Sequence, residues 1–472
     1  MRLVMNTRIA PCLVLSLILF NLFAMPAEAA SPTVVPLFSF PCDTSGACPD
    51  GSFPNLLIEA SDGNFYGVAQ STSINTSVPP GTIFRLTPGG QFTLLHTFSR
   101  SDTNPINPGT SLVEANDGFL YGTTFDGGPA NQGILFRIRK DGTGFAIVHN
   151  FCSATSCADG LFPASLILGH DGNLYGVSST SNGTNIFRFT PPSTFTIARS
   201  FPSSVGAPIS IIQGADGNFY ATAIGGDLNQ VERISPKGQI TVLGQIPFQG
   251  FDPCHGETPL LQVADGDLWG MLGCYQIEQA QFFRVHLAGG LTEFPQLGHT
   301  SFLVTPIQAS DGNLWTIETG LDELIQASPA TGTIIHSFSF TDANSSVADN
   351  AVPVVQGADG KIYGTASIGG GTDGGIVWML DAGLPLPLAA VAAFSPTSGA
   401  VGTKVLIRGD HFIGTTTVRF NGVNAVFKVL NRNFISAVVP AGASTGAIEV
   451  SNAGGSGQSQ GVFHVDLCGI GC

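Results

Sequence analysis

Charge is scarce in this chain, and basic charge is scarcest. Only 11% of its 472 residues are charged, with 18 Lys and Arg against 33 Asp and Glu. Gripping nucleic acid or an anionic membrane by electrostatic attraction needs a basic surface, and a net charge of −15 excludes that class. Long apolar runs are missing as well. The one sustained stretch, residues 13–24, falls short of the roughly 20 residues that span a bilayer. No Ser-His-Asp order, zinc-binding helix motif or phosphate loop stands out. What the chain has in plenty is 60 Gly, 30 Pro and 34 Phe. That Gly and Pro content is dense, yet below the level of a disordered low-complexity chain. The length sets an expectation of two or three domains.

The first thirty residues read as an address. Arg2 and Arg8 precede the apolar run, and Pro26-Ala27-Glu28-Ala29-Ala30 follows it. A basic start, a short apolar stretch and an Ala-x-Ala site make a secretory signal peptide, cleaved near Ala29 or Ala30. The mature protein is expected to be secreted, extracellular or periplasmic, without a membrane span.

Most of the remainder is a repeat. Asp-Gly recurs at Asp62, Asp117, Asp171, Asp216, Asp265, Asp311 and Asp359, at intervals of 45–55 residues. Each copy has an apolar run, the Asp-Gly pair, an Asn-Leu-Tyr-Gly-like segment, a variable loop, a Gly-x-Ile-Phe-Arg-Leu-like segment and a last Phe-rich run. These runs are short, rich in Ile, Val, Phe, Thr and Tyr, and bounded by turn residues, so they are strands. Four strands per copy at this period describe a β-propeller blade. Seven copies supply only six fourth strands, because Asp381 leads into a Pro-rich linker. The orphan run Val34-Val35-Pro36-Leu37-Phe38-Ser39-Phe40 matches the missing strand. It is expected to complete blade seven and close the ring, removing the sheet edges that invite aggregation.

The repeat resembles that of the bacterial family called choice-of-anchor tandem repeat GloVer-containing. The resemblance is carried by Asp62-Gly63-Asn64-Phe65-Tyr66-Gly67 with Gly81-Thr82-Ile83-Phe84-Arg85-Leu86, and again by Asp117-Gly118-Phe119-Leu120-Tyr121-Gly122 with Phe136-Arg137. It implies export and a surface-associated life, and no particular reaction. The sixth copy, Asp311-Gly312-Asn313-Leu314-Trp315, also resembles repeats of the seven-bladed streptogramin lyases.

The last eighty residues form a separate pattern. Val405-Leu406-Ile407-Arg408-Gly409-Asp410-His411-Phe412, Val418-Arg419-Phe420-Asn421-Gly422 and Gly446-Ala447-Ile448-Glu449-Val450 alternate in short strands between turns. They suggest a small sandwich, and their order resembles the IPT/TIG family of immunoglobulin-like domains. The expected organisation is all-β: signal peptide 1–30, seven-bladed propeller 31–381, linker 382–389, IPT/TIG domain 390–466 and tail 467–472. The terminal domain has five basic and three acidic residues without a basic stripe, so DNA is not its expected partner.

Eight cysteines remain after cleavage, and an even count in an exported chain reads as disulfides. The expected pairs are Cys42–Cys48, Cys152–Cys157, Cys254–Cys274 and Cys468–Cys472. No metal or cofactor is expected.

Seven aromatics stand four residues after each Asp: Tyr66, Tyr121, Tyr175, Tyr220, Trp269, Trp315 and Tyr363. A position filled in every copy is expected to be packing rather than a sugar platform. His96, His149 and His336 share one position in the outer strands and are expected to be strand residues rather than bases or ligands. Arg85, Arg137, Arg188, Arg233 and Arg284 are expected to pair with carboxylates or loop carbonyls. Function is expected where copies differ, in loops on one face. The ligand-binding candidates are Asp126 and Asn131 in one loop, and Asp252, His255 and Glu257 in another. The expected activity is non-catalytic: a monomer whose loop face recognises a carbohydrate or cell-surface protein. The alternative is a hydrolase or lyase of streptogramin-lyase type acting in the central cleft.

Overall fold

The computed structural model describes residues 32–43, 47–70, 81–98, 108–203, 207–225, 228–246, 259–274, 279–299, 304–318, 323–340 and 353–466. Among them, seven antiparallel four-stranded sheets lie between Val34 and Leu380. Blade one runs through Ser52–Glu59, Phe65–Gln70, Gly81–Leu86 and Phe92–Thr97. The next five follow the same order. Blade seven is built from Val355–Gln356, Ile362–Ala366 and Ile376–Leu380, and its outer strand is Val34–Ser39. That N-terminal strand pairs with the last propeller strand, Val34 opposite Leu380 and Ser39 opposite Ile376. The protein is therefore a seven-bladed propeller clasped by its N-terminal strand, followed by a sandwich.

The Asp-Gly hairpins are three-residue loops in which only the glycine is left-handed. Ala60 N–H donates to the Asn64 carbonyl and Gly63 N–H to the Ala60 carbonyl, with Gly63 at φ +74°. Any side chain there would be strained, which is why this position is Gly in all seven copies. The aspartate serves two purposes at once. Its carboxylate caps the backbone after the turn and accepts the hydroxyl of the aromatic two strand positions on: Tyr66 to Asp62 at 2.8 Å, Tyr220 to Asp216 at 2.7 Å. Burial, then this bond, pushes each tyrosine pKa upward. Six of the seven aromatics are buried; Tyr175 is only half-buried. Each stands directly across from a third-strand residue that is Arg in the first five blades, Tyr66 opposite Arg85 and Tyr121 opposite Arg137. These arginines meet the expected carboxylates in part, and hydroxyls besides. Arg85 donates to the Thr93 hydroxyl and Arg188 to Thr190, while Arg284 lies 3.6 Å from Asp267.

Blades are tied to one another by a residue three positions before the Asp. Gln213, Gln262, Gln308 and Gln356 each accept a backbone N–H from the preceding blade at 2.7–2.8 Å and donate to the glycine carbonyl of their own hairpin. Glu114 receives Ser61 N–H, and Glu59 receives Ala358 N–H, which joins blade one to blade seven. Outside, rings stack from blade to blade: Phe38 on Phe92, His96 on Phe145 and His149 on Phe195, at 3.6–3.9 Å. His96 and His149 are thus packing groups.

The C-terminal sandwich has one sheet of Ala390–Ser395, Lys404–Asp410, Phe434–Val438 and Val426–Asn431, and a second holding Thr417–Phe420, Gly446–Asn452 and Gly455–Val465. Val405, Ile407, Phe420, Ile435, Ile448 and Phe463 fill its core.

Candidate functional site

Antiparallel connectivity divides the propeller into two faces. The Asp-Gly hairpins and the turns between third and fourth strands open on one. The loops between second and third strands, and those between blades, open on the other. The hairpin face is occupied by the sandwich. Arg408 Nη1 donates to His170 Nε2 at 2.9 Å, Asn431 Nδ2 to Asn116 Oδ1 at 2.9 Å, and Arg432 Nη1 to the Gln356 carbonyl at 3.1 Å. Arg432 is itself held by Asp410 at 3.0 Å and by His411 Nδ1 at 2.9 Å. Beneath this seam lies a cavity of about 400 Å³ whose wall includes Glu59, Glu114, His170, Arg408 and Arg432.

The seam's electrostatics follow from burial. Burial raises the Glu59 pKa, although Ala358 N–H and Arg432 oppose the shift. Burial and then the Arg408 charge push His170 down to about 4, so its ring is neutral and accepts the guanidinium proton. Glu114 is paired with Lys140 at 2.7 Å. Arg408 and Arg432 thus bond across the seam, whereas Glu59 and Glu114 find their hydrogen-bond partners within the propeller.

The loop face carries two disulfides, Cys42–Cys48 and Cys152–Cys157. The second closes a loop ordered by Asp159, whose carboxylate accepts Ser153 N–H at 2.9 Å, Ser153 Oγ at 2.6 Å and Ala154 N–H at 3.1 Å. Burial would raise the Asp159 pKa, but these bonds carry it below the ordinary range. Beside this loop, Phe125 and Phe162 stack at 4.7 Å with their planes 16° apart, and Phe125 is 49% exposed. Phe162 is held at φ +50° with its N–H on the Gln132 carbonyl, a left-handed step that Phe53 repeats in blade one. Such strain at a displayed ring is common at binding sites.

Known proteins bear on this arrangement. Residues 53–276 match the Gloeobacter/Verrucomicrobia repeat, and residues 389–465 match the IPT/TIG domain. The chain carries the Gloeobacter/Verrucomicrobia repeat and an IPT/TIG domain. No curated protein matches it. Among solved structures it is similar to a catalytically inactive virginiamycin B lyase from Staphylococcus aureus with quinupristin, at 15% identity and TM-score 0.50, over 74% of this chain and 98% of that one. It is also similar to a fungal alcohol oxidase in complex with copper, at 12% identity and TM-score 0.50, over 92% of this chain and all of the other. At such identities the likeness is one of fold.

Within the repeat protein, Asp126 and Asn131 belong to one loop on the face with the stacked rings. Asn131 adopts φ +54° and accepts Gly127 N–H at 3.2 Å, so its amide shapes the loop. Asp252, His255, Glu257, Cys254, Cys468 and Cys472 lie outside the described residues, as does the side chain of Cys274. Residues 1–30, the expected signal peptide, lie outside them too. Among the described residues no group of three His, Cys, Asp or Glu could hold a metal, and no helix is long and apolar enough to cross a membrane. Sequence reasoning missed Phe125, Phe162 and His170. The Phe-Pro pairs Phe53-Pro54 and Phe162-Pro163 were a usable signal, because they recur just after the cysteine loops.

Proposed function

We propose that this is an exported, non-catalytic binding protein whose propeller loop face recognises a glycan. One observation carries the reading: the face opposite the IPT/TIG domain displays the stacked Phe125–Phe162 pair beside a disulfide-closed loop. Stacked, partly exposed aromatic faces suit the apolar CH faces of sugar rings, and neighbouring amides and carboxylates can bind their hydroxyls. Disulfides suit an oxidising compartment, which agrees with the signal peptide read in residues 1–30. The domain limits proposed are 31–381 for the propeller, 382–389 for the linker and 390–466 for the IPT/TIG domain, with the chain acting as a monomer.

The central cleft is the less favoured place for chemistry. At its described mouth His170, Arg408 and Arg432 are engaged in the seam and Glu59 and Glu114 are bonded within the propeller, and the likeness to a lyase is one of fold alone. The test is a glycan and polysaccharide screen on the mature protein, with and without chelator. The reading expects chelator-independent binding that Phe125→Ala weakens at least tenfold; turnover of a bound ligand, or no binding at all, would overturn it.

A further inference from the structure

Flat ring stacking on the outer wall joins blades seven, one, two and three and does not continue from blade three to blade four. In blades seven, one and two, Phe38, His96 and His149 each lie flat on a ring of the next blade. The corresponding residue in blade three is Arg199, and the ring it would meet is replaced by Ile240. Here the wall opens into a cleft of about 530 Å³ between blades three and four.

Its lining departs from the rest of the propeller in two respects. Tyr175 is half-buried where its counterparts are covered, and Arg188 is exposed where Arg85, Arg137, Arg233 and Arg284 are not. Arg188, Arg199 and Lys237 all line the cleft and are all exposed. They are three of eleven basic residues in a propeller that carries 29 acids. Their own contacts are weak. Arg188 reaches the Thr190 hydroxyl at 3.3–3.4 Å, Arg199 lies 5.8 Å from the Phe201 ring, and Lys237 has no ion-pair partner among the described residues. The single acid of the lining, Asp171, is held by Tyr175 Oη and by Asn173 and also feels the Arg188 charge.

We propose that this cleft binds an anionic sugar, through Arg188, Arg199 and Lys237 on its acidic groups and Tyr175 on its ring. The volume lies within the usual range of small-molecule sites, roughly 300–1,000 Å³. Guanidinium groups suit planar carboxylates and sulfates, and the half-open tyrosine supplies the apolar surface that a free inorganic anion would not use. This site lies on the side of the hairpins and the outer wall, away from the Phe125–Phe162 pair.

Binding of the full mature chain to oligogalacturonate, a heparin oligosaccharide, neutral dextran oligosaccharide and polyglutamate tests it. One or both acidic sugars should bind, the preferred one distinguishing carboxylate from sulfate recognition, while dextran and polyglutamate bind at least tenfold more weakly. Arg199→Glu and Lys237→Glu, both on exposed positions, should each reduce that binding at least tenfold with an unchanged melting temperature. Tyr175→Leu should weaken the sugar more than it weakens polyglutamate. Equal binding of polyglutamate, normal binding by the charge-reversal variants, or loss of acidic-sugar binding in Phe125→Ala instead would overturn the assignment.

Discussion

The two faces of the propeller are made differently. The hairpin face is the repeated one: Asp-Gly turns, tyrosine bonds and interblade glutamines recur around it, and the IPT/TIG domain closes over it. The loop face is assembled from segments that vary among the copies, two of them closed by disulfides. Yet the domain seats itself through the repeat's exceptions. Blade three has Leu168 where other copies have Gln or Glu, so no such side chain crosses to blade two. There Asn116 is left to receive Asn431 of the sandwich. His170 likewise stands where five copies have Ser or Ala, and it meets Arg408. Regularity builds the ring, and departures from it mark the contacts.

Breaking the ring should have the largest effect. Deleting residues 34–40 strips blade seven of its outer strand, and calorimetry should show the cooperative propeller transition lost or greatly lowered. Trimming residues 468–472 should leave it in place. Next comes the repeated aromatic. Tyr121→Ala should cost about 3–5 kcal/mol in urea unfolding, as for other large buried side chains, whereas Phe125→Ala should stay within about 0.5 kcal/mol, as for an exposed position. Removing the Cys152–Cys157 bridge as a double serine variant should cost about 2 kcal/mol by release of a short closed loop. Its effect on loop-face binding should exceed what that loss of stability implies.

The seam supplies a smaller effect, lost on acidification like that of an ion-paired carboxylate but in a higher pH window. His170 titrates near 6.5 when unfolded and is pushed down to about 4 in the fold. The unfolded state therefore binds more protons between those values, so stability is full above pH 6.5 and falls as the pH drops toward 4. The loss should be on the order of 2 kcal/mol, and His170→Gln should flatten that part of the stability-against-pH curve.

The sequence made the ring legible because a propeller repeats its packing problem seven times. A Gly that must be left-handed, an aromatic that must be buried and a missing fourth strand each leave a visible mark. Two of the four disulfide pairs were legible for the same reason, since Cys42–Cys48 and Cys152–Cys157 occupy one loop type. The seam was not legible. It depends on which surface of the sandwich meets which mouth, and Arg408, Asn431 and Arg432 look like ordinary strand and turn residues in one dimension. Tyr175 was misread as fully packed because its environment is set by Ile240 and Arg199, far along the chain from its own motif. The Phe125–Phe162 pair is not legible because the two rings come from different blades and stack only once blades two and three have packed together.

The central claim is that the loop face, and not the seam beneath the IPT/TIG domain, holds the neutral glycan. A glycan array probed in parallel with the mature protein, Phe125→Ala and Arg432→Ala tests it most directly. Neutral glycans bound by the intact protein should be lost in Phe125→Ala at an unchanged melting temperature and retained in Arg432→Ala. The reverse pattern, with Phe125→Ala binding normally and Arg432→Ala losing its ligands while still folded, would contradict it and move the site to the seam.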